Sequence, residues 1–196
     1  MDSGVVQLLQ LLHSGDFMTT LATAIGRPEK GEYASFYENY IARVPGNDIL
    51  ATLDEQRRQM LLLLSGRKES DGDIRYAPGK WSVKEVLGHV CDAERIMGYR
   101  ALRIARNDST PLPGFDENNY VANAPFAQHP LPDLIEDFIA VRRATLSLFR
   151  NFDESAWTRR GVANNNEVTV RALAYIIAGH ELHHRRMLEE KYLGQS

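Results

Sequence analysis

Four long segments of this 196-residue chain place apolar residues at helical spacing, and that pattern restricts the fold more than anything else in the sequence. Asn47 or Asp48 can cap the first, whose apolar positions include Ile49, Leu50, Leu53, Met60, Leu61 and Leu64; Ser65-Gly66 ends it. Ser82-Val83-Lys84-Glu85 matches a capping box, with Ser at the N-cap and Glu three residues on. The second helix then runs to about Arg106. Its last turns carry Arg100, Arg103 and Arg106, which suits the negative end of a helix dipole. A third segment covers about Leu131 to Phe149. Thr169 can cap a fourth, which runs to Leu193 and stops at Gly194.

The intervening stretches read as connections. Residues 26–46 are irregular and tyrosine-rich. Residues 67–80 are polar, with turn signals at Asp71-Gly72 and Pro78-Gly79. Residues 107–130 are long for a link between two helices, which is the mark of a functional lid or a partly helical segment. Asp153 to Thr158 adds a turn around Trp157, and Asn164-Asn165-Asn166 is a turn; no β-alternation or hairpin pattern stands out. The expectation is an all-α chain: a four-helix up-and-down bundle over residues 26–196, preceded by a short N-terminal helical extension over residues 1–25.

Composition narrows the classes. The formal net charge is -3 and the pI about 6.1, which argues against a nucleic-acid binder. The pairs Arg142-Arg143, Arg159-Arg160 and Arg185-Arg186 read as solvated helix faces and ends. Cys91, the single cysteine, reads as a buried structural thiol and suits a reducing cytosol. No apolar run reaches the ~18 residues of a membrane span. Residues 5–12 resemble the apolar part of a signal peptide, but no Lys or Arg precedes Arg27, so a docking helix or upstream extension is the better reading. The expected location is the cytoplasm, with no membrane or nucleic-acid partner.

The chemistry concentrates in Ala178-Gly179-His180-Glu181-Leu182-His183-His184. Histidines four apart project from one helix face, a spacing that can clamp one ion. His180-Glu181-x-x-His184 is also the zinc-peptidase pattern. That reading lacks support: only 12 residues follow His184, the His-x-x-Gly-x-x-His continuation is missing, and no strand edge is expected to hold a peptide. Leu173, Ile177, His180, His184 and Met187 form one stripe, so both histidines face the bundle interior. His183 and Glu181 lie about 80° to either side of it. A third ligand must come from upstream, where His13, His89 and His129 are the candidates. His89 sits mid-helix on one face with Glu85, Ile96 and Arg100, and would complete a three-histidine site that leaves positions open for chemistry. Gly88 and Gly179 precede two of these histidines, and close approach of the ligand helices is the expected reason.

At these residues the chain resembles the DinB-like superfamily of metal-binding four-helix bundles, which includes bacterial thiol S-transferases. The resemblance rests on Lys80-Trp81-Ser82 before Gly88-His89, on Asp92-Ala93-Glu94-Arg95, on residues 99–106, on Pro111-Leu112-Pro113-Gly114-Phe115-Asp116 and on residues 178–184, and covers about residues 26–193. It implies that His89, His180 and His184 hold a divalent ion, zinc or nickel first and manganese or iron as alternatives, often in a homodimer. Such an ion can stabilise a thiolate or activate water. The expected function is transfer of a low-molecular-weight thiol to an electrophile. Metal-dependent hydrolysis and a non-catalytic metal-binding stress role are the alternatives. Asp92, Asp116 and Tyr120 are the candidates for proton carriers or substrate contacts, Glu85 for orienting an imidazole, and Trp81 for a core or bundle-end aromatic.

Overall fold

The computed structural model describes residues 25–194. The expected extension over residues 1–25, and His13 with it, lies outside the described residues apart from Ile25. A 3-10 turn at Ser35–Tyr37 leads into α1 (Glu38–Arg43), followed by α2 (Ile49–Leu64), α3 (Val83–Ala105), α4 (Glu117–Asn123), α5 (Leu131–Arg150), α6 (Glu154–Trp157), β1 (Arg160–Ala163), β2 (Asn166–Thr169) and α7 (Val170–Met187). The four long helices, α2, α3, α5 and α7, form the bundle. A π-helical segment, Leu188–Leu193, extends α7 and stops before Gly194.

The start signals operate as the sequence implies. The Asp48 carboxylate accepts from the Ala51 amide at 3.0 Å. At α3 the Ser82 hydroxyl accepts from the Glu85 amide, while the Glu85 carboxylate accepts from the Ser82 amide at 2.6 Å. The Thr169 hydroxyl accepts from the Ala172 amide at 3.1 Å. Each bond satisfies an N–H that a helix start would otherwise leave without a partner.

The helices do not alternate direction at every step. α2 neighbours α5 and α7, and α3 neighbours the same two, so α2 and α3 sit across one diagonal and α5 and α7 across the other. Val83, Val86, Leu87 and Val90 cluster with Leu131, Leu134 and Phe138, whereas Ala101, Ile104 and Ala105 cluster with Leu146 and Phe149. α3 and α5 therefore run parallel. By the same argument, Ile49 and Leu53 against residues 172–178, and Met60 and Leu64 against Leu188, make α2 parallel to α7. The wiring is thus up-down-down-up rather than simple up-and-down. Parallel neighbours need a link that travels a full helix length, roughly 30 Å for 20 residues. Residues 106–130 provide it, and they carry α4 and a 3-10 turn at Phe126–Gln128 on the way.

Three further expectations are corrected. The lead-in is not wholly irregular: α1 lies along α7, and the Arg27 guanidinium donates to the carbonyls of Ile41, Val44 and Gly46 at its C-terminal end. A hairpin exists where none was expected. β1 and β2 pair antiparallel around Asn164 and Asn165, both at positive φ (50° and 60°), the conformation a two-residue type I′ turn requires. Arg142 is not solvated: it is 0% exposed and paired with Glu94. Cys91 is buried, as expected.

The interior has two apolar halves. Between them runs a polar layer of buried side chains: Gln56, Glu94, Arg142, Glu181, His89 and His184. Among the described residues no helix is long and apolar enough to cross a membrane.

Candidate metal centre

His89 comes from the second turn of α3, and His180 and His184 from successive turns near the end of α7. Because the N-terminal half of α3 packs against the C-terminal half of α7, the three imidazoles converge. Their ligand atoms all lie within 4.8 Å of one another. His89 Nε2 and His180 Nε2 are 3.0 Å apart, and the ring of His184 lies 4.9 Å from that of His89 and 4.6 Å from that of His180.

This geometry fits a divalent ion. Nitrogens bound at about 2.0–2.1 Å in a tetrahedral arrangement sit roughly 3.3 Å from one another, close to the spacing of the His89–His180 pair. His184 Nδ1 is buried without a protein partner, which a core histidine held only by hydrogen bonds would not show. Burial holds the imidazoles neutral, the form that binds metal: the pKa of His89 falls to about 4 and that of His180 to about 3, and that of His184 also lies well below the usual value. Repulsion from neighbouring imidazoles adds to the effect, from His89 and His183 at His180 and from His180, His89 and His183 at His184.

The histidines line a cavity of about 340 Å³. Trp81 stands 4.9 Å from the His89 ring, and Tyr40 meets His180 edge-on at 5.8 Å. The Tyr192 hydroxyl donates to the Trp81 carbonyl at 2.9 Å, so the π-helical segment holds this wall in place. Phe36, Tyr37 and Phe115 complete the aromatic lining. The long connection reaches the cavity because Leu112 pairs with Ala163 of the hairpin, with Leu112 N–H donating to the Val162 carbonyl at 2.9 Å. Gly114 then lies directly against the Asn164 side chain, and both border the cavity.

The structure brings together His89, His180 and His184, and sets other candidates apart from them. His183 is half-buried against Tyr40, at 5.5 Å between rings, on the cavity wall. His129 is exposed at the end of the 3-10 turn. Glu85 serves the capping box and an ion pair with Arg75, and does not orient an imidazole. Asp92 is half-buried beside Arg95, 3.7 Å away, and burial raises its pKa. Asp116 caps α4, accepting from the amides of Asn118 and Asn119. Tyr120 is 45% exposed and packs on Phe115. None of these last three borders the histidine cavity.

Glu181 is 1% exposed, faces Arg185 at 3.4 Å, and does not border the cavity either, so it is not placed as a peptidase base would be. Burial pushes its pKa up to about 7. The glycines also act differently from expectation. A Cβ at 179 would collide with the Tyr40 carbonyl, and one at 88 with the Phe126 ring. They admit α1 and the connection to α5, not the ligand helices to each other.

Sequence reasoning missed Tyr37, Tyr40, Glu117, Asn164 and the inward role of Arg100. Two signals were present. Asp116 as an N-cap places Glu117 on the first turn of a helix, and Arg100 shares the His89 face of α3.

Comparison with known proteins agrees with this architecture. Residues 52–188 match the model of the DinB superfamily. A candidate metal-dependent hydrolase of Oceanobacillus iheyensis is 27% identical over 111 residues, covering 56% of this chain. The match spans 63% of that relative's length. YfiT from Bacillus subtilis, described as a candidate metal-dependent hydrolase with an unusual four-helix bundle topology, superposes with a TM-score of 0.64. That alignment covers 83% of this chain and 89% of YfiT at 15% identity, a likeness of fold.

Proposed function

The chain belongs to the DinB superfamily, and on that premise we propose that it is a metal-dependent enzyme transferring a low-molecular-weight thiol to an electrophilic small molecule. His89, His180 and His184 would hold the ion, zinc or nickel in the first instance. The ion, when bound, supplies positive charge that favours the thiolate over the thiol. The sulfur forms the new bond to the electrophile's carbon, the leaving group departs with its bonding pair, and the thiol proton passes to solvent.

One observation carries this reading: three neutral imidazoles open on a largely aromatic and apolar cavity, and of the carboxylates that border it, Glu94 and Glu117, neither is both buried and unpaired. Glu94 borders the cavity but is held by Arg142 through two hydrogen bonds of 2.8 Å. Glu117 is exposed at the rim. A thiol needs only to lose its proton, whereas hydrolysis also profits from a placed acid for the leaving group. Trp81, Tyr40 and Phe115 limit water around the sulfur and the electrophile.

Hydrolysis is the second reading, favoured by the names of the Oceanobacillus and Bacillus proteins. Metal-loaded protein assayed with a panel of thiols and an alkylating electrophile separates the two. Thiol-dependent conjugation supports transfer; thiol-independent turnover of esters or amides supports hydrolysis. Neither, with metal bound, leaves a metal-binding protein.

A further inference from the structure

Three arginines are buried among the described residues, and two are matched by carboxylates. Arg57 pairs with Asp54 at 3.0 Å and Arg142 with Glu94 at 2.8 Å. Arg100, 3% exposed, has no acidic partner among the described residues. It donates to the Pro113 carbonyl at 2.7 Å, contacts Met97 Sδ at 3.4 Å and interacts with the Tyr37 hydroxyl nearby. All three are neutral groups. A buried cation without a counter-charge is costly, and such positions are retained where a ligand supplies the charge.

Arg100 borders the same cavity as the histidines. It follows His89 by eleven residues on α3, which is within about 20° of the same face and roughly 16 Å further along the helix. Long side chains on a helix lean toward its N-terminus, here toward the histidines. Ala93 and Met97 of α3 and Ile176 and Ile177 of α7 border the space between. The cavity therefore has a metal-ligating end, an apolar middle and a cationic end.

We propose that Arg100, with the Tyr37 hydroxyl beside it, binds a carboxylate carried by the substrate at the end remote from the reacting group. This rests on the thiol-transfer reading for the reacting end of the substrate. A planar guanidinium matches a carboxylate through paired N–H donors. Burial raises the pKa of Tyr37 and keeps its hydroxyl protonated, so that beside Arg100 it can donate to the anion. A single guanidinium with Glu117 at the rim suits one negative charge rather than the two of a phosphate.

The test uses cobalt-loaded full-length protein titrated calorimetrically with ω-mercaptoalkanoates of increasing length and with their methyl esters. Thiolate-to-cobalt absorption is recorded in parallel. At the best length the acid binds about tenfold or more tighter than the ester. Arg100→Gln removes that preference while the ester's affinity and the absorption band persist, a result that mere structural damage would not give. Equal affinity of acid and ester for the wild type, or a preference that survives Arg100→Gln, overturns the proposal. If Arg100→Gln does not fold, Arg100→Lys and Tyr37→Phe each narrow the preference; a preference unmoved by both overturns it. No thiolate band with either probe counts against thiol transfer itself. Plain alkanoates against their methyl esters then give the same ratio, and the same outcomes decide Arg100.

Discussion

Arg142 of α5 and Glu94 of α3 form a two-pronged ion pair at 2.8 Å in the layer between the two apolar halves of the bundle, with both side chains essentially inaccessible to solvent. Arg142 also donates to the Leu53 carbonyl at 2.9 Å, so one guanidinium ties three of the four bundle helices. Removing one member of such a pair leaves a buried charge alone, which typically costs about 3–5 kcal/mol. Glu94→Gln or Arg142→Met is expected to lose stability of that order in chemical denaturation. Glu94→Leu with Arg142→Met should recover most of it, because apolar residues of similar volume replace both charges. Additive losses in the double variant would contradict this.

Gly179 and Gly88 should respond differently to alanine. At 179 the obstacle is the Tyr40 backbone carbonyl, which can retreat only by moving α1. Overpacking of this kind costs about 1–3 kcal/mol, so Gly179→Ala lowers the melting temperature and widens the cavity wall around His180. At 88 the obstacle is the half-buried Phe126 ring, which can swing aside. The helical gain of about 1 kcal/mol offsets that displacement, and Gly88→Ala stays near wild-type stability. Thermal unfolding of both variants checks the order.

Acid stability should depend on Glu32. Burial alone would raise its pKa, but hydrogen bonds from Arg171, the Glu29 amide and Thr169 outweigh it and hold the carboxyl down to about 2. A folded pKa below the ordinary value of 4.5 gives stability that is complete above about pH 4.5 and is lost as pH falls toward 2. Glu32→Gln should therefore lower the melting temperature at pH 7, with the gap from wild type closing across that window. A gap that is constant with pH would contradict the assignment.

Much of this was legible in the sequence because it rests on local rules. Asp48, Ser82 and Thr169 mark three helix starts through hydrogen bonds that span only three residues. The His89, His180 and His184 set could be assembled because each sits on an apolar stripe that must face inward. What escaped depends on contacts between distant segments. Apolar stripes do not say which helices lie across the diagonal, so the parallel pairing of α3 with α5 had to come from the packing of Val83 with Leu131 and of Ile104 with Phe149. The hairpin has strands of only four residues and an Asn-Asn turn in place of the usual glycine. In the sequence Arg100 reads as a charge suited to the end of a helix dipole and Arg142 as part of a solvated helix face or end; only tertiary structure sets the first on a cavity and the second against a buried glutamate.

If His89, His180 and His184 together hold one divalent ion, the metal content of purified single variants must depend on each of them. His89→Ala, His180→Ala and His184→Ala should each abolish tight binding, while His183→Ala, which alters only the wall beside Tyr40, retains it. Full metal content in His89→Ala would contradict the account, because that side chain is the only one of the three contributed by α3.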